Sequence, residues 1–336
     1  MNSRSSTDAA CPSGRAPMNR TLVLTEGDRD RLSPHLLRHP PAGGFAEPPQ
    51  GTIHGDCLRW ANHLPPTFVD LLLLDPPYNL NKTFNSQKFT RQTVEQYTEW
   101  LDQVVTILVP LLKPSASIYI CGDWFSSPSI FAVASTHFII RNRITWEREK
   151  GRGSRSNWKN ASEDIWFCTR SDEYTFNVDA VKLRRKVVAP YRRSDGSPKD
   201  WQQTCDGNFR DTYPSNFWTD ITIPFWSMAE NTDHPTQKSE KLIAKLILAS
   251  TNVGDMVFDP FLGSGTTSAV AKKLGRRYLG IELDEEYCLL AEKRLELADS
   301  APAIQGYADG IFWERNTLAI QTGKRSQMLT PPESIP

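Results

Sequence analysis

From Thr52 onward, hydrophobic positions follow two patterns: short continuous apolar runs, and longer stretches with apolar residues three or four apart. Residues 68–74 (FVDLLLL) form a run of strand length ending at Asp75, the pattern of a parallel strand buried on both faces. Residues 94–113 place Tyr97, Leu101, Val104, Val105, Leu108 and Leu112 at helical spacing and stop at Pro114. The same reading predicts strands over 117–121, 139–146, 164–169, 255–259 and 277–283. It predicts helices over 127–137, 239–251, 266–274 and 285–297. Strands alternating with helices give an α/β fold, a doubly wound and mostly parallel sheet.

Two regions lack this periodicity. Residues 1–50 are rich in Pro, Ser, Arg and Gly and read as a flexible leader, with at most a short strand or docking segment at 21–24. Between about 147 and 230, Gly, Pro, Trp and basic residues accumulate. Residues 51–149 and 231–298 are then two halves of one domain, 150–230 an insertion between them, and 299–336 a loosely packed tail.

The 336 residues are 39% hydrophobic and 23% charged, enough to bury a core, which excludes wholesale disorder. No apolar run reaches the roughly 18–20 residues of a membrane span, and residues 1–20 hold no signal-peptide stretch. The six cysteines form no C-x-x-C pair, so reduced thiols in a cytosolic setting are expected rather than disulfides or a metal site. Lys+Arg and Asp+Glu both number 39, a zero net charge that argues against a polyanionic partner only as an average. Residues 141–159 hold seven basic residues and two acidic; residues 182–193 hold six basic and none acidic. Trp146, Trp158 and Tyr191 interleave with them. One such run is usually a solvated face; two together suit phosphate contacts. The candidates are Arg152, Arg155, Lys159, Lys182, Arg184, Arg185, Lys186, Arg192 and Arg193.

Residues 257–267 (VFDPFLGSGTT) place a Gly-x-Gly turn between a strand and a helix, where the backbone can approach a ligand and free N–H groups face it. The next strand ends at Glu282, a carboxylate able to accept both hydroxyls of a ribose. The third glycine of a dinucleotide fingerprint is replaced by Thr266, Thr267 and Ser268, which favours a nucleoside over a pyrophosphate ligand. The stretch Asp75-Pro76-Pro77-Tyr78 follows the strongest strand. Two prolines would also end a strand in a plain turn. Yet Asp75 and the Pro76 carbonyl can accept the two hydrogens of an exocyclic amine while Tyr78 stacks on its ring.

Together, Asp-Pro-Pro-Tyr at 75–78 and Asp-Pro-Phe-x-Gly-Ser-Gly at 259–265 resemble the amino-group DNA methyltransferases. The order, catalytic tetrapeptide before cofactor glycines, is similar to the beta class of adenine-N6 and cytosine-N4 enzymes. Residues 54–58 (HGDCL) and 234–238 (HPTQK) match the same class, with Ser239 where its pattern usually has Pro. The resemblance spans about residues 51–297.

It implies S-adenosylmethionine as cofactor, held by Asp56, Cys57, Asp75, Thr236, Lys238, Asp259, Phe261, Gly263, Ser264, Gly265, Thr266 and Glu282. It implies catalysis by Asp75, Pro76, Pro77 and Tyr78 on a flipped base, and makes residues 150–230 the target-recognition region. Asp at position 75 favours adenine-N6, with cytosine-N4 the alternative. Double-stranded DNA is the implied partner; a homodimer and a separately encoded restriction endonuclease are compatible with it, as is a place at the nucleoid. A nicotinamide-dependent dehydrogenase leaves Asp-Pro-Pro-Tyr unexplained, and a protein-glutamine methyltransferase would carry Asn-Pro-Pro-Tyr in the opposite order.

Overall fold

The computed structural model describes residues 16, 18–84, 87–148, 155–187, 190–204, 207–315 and 317. The strands, in chain order, are β1 (Gly51–His54), β2 (Val69–Leu74), β3 (Lys82–Phe84), β4 (Gln87–Phe89), β5 (Leu112–Gly122), β6 (Ile139–Glu147), β7 (Ser162–Thr169), β8 (Leu183–Lys186), β9 (Gln202–Thr204), β10 (Gly207–Thr212), β11 (Phe217–Trp218), β12 (Met256–Asp259), β13 (Arg277–Glu282), β14 (Tyr307–Ala308) and β15 (Ile311–Trp313). The helices are α1 (Glu26–Leu32), α2 (Cys57–Trp60), α3 (Val94–Leu108), α4 (Ser127–His137), α5 (Glu240–Ser250), α6 (Thr266–Lys273) and α7 (Glu285–Ser300).

The main sheet has the order β1-β13-β12-β2-β5-β7-β6-β11, and only β7 runs against its neighbours. This is the expected doubly wound, mostly parallel sheet. The run at 69–74 is buried because both of its faces are covered. Leu72 and Leu74 pack with Tyr97, Leu101 and Ile130 of α3 and α4, while Leu71 and Leu73 pack with Leu242 and Leu246 of α5. The predicted 94–113 helix ends earlier, at Leu108. A 3-10 turn with Pro110 follows, and residues 112–122 continue as one long strand through Pro114. From the sheet centre the chain winds outward in both directions, β2 to β5 and β12 to β13, so the β2–β12 seam is a topological switch point.

Residues 18–50, expected as a flexible leader, are instead packed. A capping box between Thr25 and Asp28 starts α1, and Leu32 and Leu36 bury against Cys288 and Leu289 of α7. Lys293 pairs with Asp28 at 2.6 Å, Arg29 with Glu286 at 2.7 Å and Arg38 with Glu285 at 2.6 Å. The apolar residues here are too sparse to be periodic, yet Leu24, Leu32 and Leu36 pack on α7 while Leu37 and Phe45 pack on the main core. Leu22, in the segment expected as a short strand or docking element, makes one parallel bridge to Thr232.

The tail corrects the second expectation. Residues after 299 are not all loose, because β14 and β15 join a second sheet of order β14-β15-β8-β10-β9. That sheet combines strands from the middle segment with strands more than 100 residues later. No helix among the described residues is long and apolar enough to cross a membrane.

Candidate active site

The cleft at the carboxyl edge of the sheet collects every motif from the sequence. Asp75 leaves β2 and Asp259 ends β12, adjacent strands at the switch point, while Glu282 ends β13 beside them. Of the twelve residues expected around the cofactor, eleven line this one cleft. The twelfth, Gly265, does not. It takes φ 81° at the N-cap of α6 and packs tightly on α7, so its missing side chain serves helix packing rather than ligand approach.

On the cofactor side, Glu282 accepts N–H bonds from Gly263 and Asp284, both at 2.8 Å. One lone pair on each carboxylate oxygen remains, which fits a ribose diol. Burial raises the Glu282 carboxyl above its usual range, and raises Asp259 to about 7 against the hydrogen bonds it accepts from Thr267 and Phe261. The His234 ring stands beside Gly263: an added Cβ there would lie 3.1 Å from Nε2. Burial, reinforced by Lys238, lowers His234 to about 3, so the imidazole is neutral. Aromatic walls from Phe261 and Tyr287, with Asp56 capping α2 opposite, complete a pocket of nucleoside character. The Thr266 hydroxyl is committed elsewhere, to the Lys238 carbonyl at 3.2 Å and Arg294 at 2.6 Å.

The Asp75–Tyr78 stretch is held from behind. Tyr97 donates its hydroxyl to the Pro77 carbonyl at 3.0 Å. The buried Asn79 bonds both ways with the Gln92 backbone, and its own N–H donates to Ser126. Towards the cleft, Lys238 places its ammonium 2.8 and 2.7 Å from the two oxygens of Asp75 and 3.1 Å from the Tyr78 hydroxyl. Burial alone would lower this ammonium, but Asp75 and Glu163 overcome it and hold Lys238 above its usual range. The Tyr78 hydroxyl donates to Asp75 at 3.1 Å.

Glu163 was missed in the sequence. It is the second residue of β7, whose reversed direction brings its amino end to the carboxyl edge of the sheet. The side chain is 4% exposed and pairs with Arg148, which also lines the cleft. A signal existed: Glu163 shares a strand face with Ile165 and Phe167, and a carboxylate among buried apolar residues requires a partner.

The nominated basic residues divide. Arg152 lies outside the described residues. Arg155, Lys159, Lys186, Arg192 and Arg193 are exposed. Arg192 lies over the Trp201 ring, its guanidinium 5.1 Å from the ring centre. Lys182 pairs with Asp179 at 2.7 Å, Arg184 with Asp211 at 2.8 Å, and Arg185 lies 3.9 Å from Glu314. Lys182 is held by a local partner three residues back, while Arg184 and Arg185 are tied into the second sheet rather than presented freely. The sequence count missed this because Asp211 and Glu314 reach them by strand pairing, not by proximity along the chain.

A carboxylate-Pro-Pro-Tyr stretch and a nucleoside pocket sharing one cleft define an amino-group methyltransferase of the beta class. The chain belongs to the DNA methylase family of N6/N4 methyltransferases, whose model matches residues 69–293. It is 33% identical over 261 residues to the DNA adenine methyltransferase YhdJ of Escherichia coli (strain K12), covering 76% of this chain and 85% of that one. It is 31% identical over 253 residues to the type II methyltransferase M.HpaI of Haemophilus parainfluenzae, covering 74% of each. Its fold is similar to that of the cytosine-N4-specific PvuII DNA methyltransferase, with a TM-score of 0.55 at 18% identity, over 74% of this chain and 87% of that one.

Proposed function

We propose that this chain transfers a methyl group from S-adenosylmethionine to the N6 amine of adenine in duplex DNA. The observation that carries the reading is the meeting of Asp75 and Tyr78 with the Glu282–Gly263 pocket in a single cleft. The cofactor supplies a methyl carbon made electrophilic by its sulfonium. Glu282 would accept from the ribose hydroxyls, and Phe261 and Tyr287, which line the same cleft, would flank the cofactor's adenine.

The target amine is a poor nucleophile because its lone pair is delocalised into the ring. Asp75 and the Pro76 carbonyl accept hydrogen bonds from its two N–H groups, favour a tetrahedral nitrogen and stabilise the positive charge that develops as the nitrogen–carbon bond forms and the carbon–sulfur bond breaks. The sulfur leaves as a neutral thioether, and the methylated nitrogen then releases one proton towards Asp75 and on to solvent. Proline rings fix the backbone between them, so this geometry exists before the base arrives. The amine is unreachable inside a duplex, so the base rotates out of the stack and lies against Tyr78. Arg155, Lys159, Lys186, Arg192 and Arg193 supply phosphate contacts from the middle segment, residues 150–230.

Aspartate at position 75 and the adenine-directed relative from Escherichia coli support adenine over cytosine. The test is to incubate unmodified genomic DNA with the purified chain and S-adenosylmethionine, then map modified bases. N6-methyladenine in one sequence context is expected. N4-methylcytosine would overturn the base assignment, and unmodified DNA the activity.

A further inference from the structure

Lys238 sits where the target amine must dock. Its ammonium donates to both Asp75 oxygens and lies 5.3 Å from the centre of the Tyr78 ring, on the two groups assigned above to the amine and its base. A cation held there neutralises the carboxylate needed to stabilise a developing positive charge, and it repels that charge directly. Lys238 is 7% exposed, its ammonium enclosed by Asp75, Tyr78 and Glu163.

A second acceptor is already in place. Glu163 Oε2 lies 3.4 Å from Lys238 Nζ and 3.3 Å from the Tyr78 hydroxyl. Its other oxygen is engaged by Arg148. The ammonium is therefore suspended between two carboxylates, in contact with one and slightly beyond hydrogen-bond optimum from the other.

Resting on the methyltransferase reading above, we propose that Glu163 is the alternative anchor for Lys238: when the target amine docks on Asp75, the ammonium moves to Glu163. Glu163 is then a positioning residue, acting through Lys238. The movement exchanges hydrogen bonds only. Arg148 holds Glu163 in place, and the Tyr78 hydroxyl can turn from Asp75 to Glu163 with the lysine, leaving the ring free to carry the base. Before docking, Lys238 keeps Asp75 from standing as an uncompensated charge in a desolvated cleft.

The experiment is single-turnover methyl transfer to duplex DNA by the full chain, with cofactor affinity measured on each variant. Glu163→Gln is expected to slow transfer about tenfold with cofactor affinity within about twofold of wild type. In a Lys238→Met background the same substitution is expected to change the rate by less than about twofold, because the group it acts through is gone. Glu163→Asp, which keeps the charge, is expected to transfer faster than Glu163→Gln; that ordering decides the matter if Lys238→Met does not fold. The proposal is overturned if Glu163→Gln transfers at the wild-type rate, if its effect is equally large without Lys238, or if it acts by abolishing cofactor binding. A wild-type chain that transfers no methyl group would instead defeat the underlying reading.

Discussion

A Cβ added to Gly265 would lie 2.5 Å from the Cα of Ala291, closer than any relaxed packing permits. The glycine also occupies φ 81°, so a side chain would be strained there even with space. Gly265→Ala is expected to lower unfolding free energy by about 2–4 kcal/mol, overpacking and strain together. Urea unfolding of the two chains measures this, and a loss below about 1 kcal/mol would mean that α6 and α7 separate easily.

Asp75→Ala and Tyr78→Ala should separate chemistry from cofactor binding. Removing the Asp75 acceptor is expected to reduce methyl transfer at least about a hundredfold, and Tyr78→Ala to slow transfer with cofactor affinity little changed. Asp75→Ala transferring at the wild-type rate would remove the carboxylate from the mechanism.

The paired and exposed arginines predict different phenotypes. Arg155→Ala and Lys159→Ala should each reduce the slope of log DNA affinity against log salt by about one, without altering thermal stability. Arg184→Ala should instead lower stability, because its guanidinium pairs with Asp211 and lies 5.3 Å from the centre of the Trp313 ring. Equal salt slopes for wild type and the Arg155 and Lys159 variants would move the DNA to another face.

Asp259 makes stability depend on pH. Burial raises its carboxyl to about 7 from the ordinary 3.8, so the folded chain holds a proton that the unfolded chain releases. The stabilisation is complete below about pH 4 and is lost as pH rises to about 7, on the order of 2–4 kcal/mol across that window. Asp259→Asn removes the titration. Its unfolding free energy relative to wild type should therefore rise between pH 4 and 7, and a constant difference would show that Asp259 titrates normally.

What could be read from the sequence was what is local. The 69–74 run, the Gly-x-Gly turn and the helix spacing of Tyr97, Leu101 and Leu108 each declare themselves within a few residues. The second sheet does not, because β8 pairs with β15 across more than a hundred residues, both strands are short, and β8 alternates no apolar face. The packed α1 was missed although Thr25 and Asp28 spell its cap, since four leucines spread over 24–37 show no period. In the cleft, Asp75, Glu282 and Lys238 lie in recognisable motifs, whereas Arg148 follows the end of β6 and Glu163 reaches Lys238 only because β7 runs antiparallel.

The parallel pairing of β15 with β8 also constrains how such a chain can be rebuilt. Exchanging residues 150–230 with those of another chain would replace β7 and β11 of the main sheet together with β8, β9 and β10, yet leave Phe312 and Trp313 behind. Two bare strand edges and an unfilled hydrophobic face would follow. The second sheet can be transplanted only as two pieces, 183–212 and 307–313, or it arrives without its foundation.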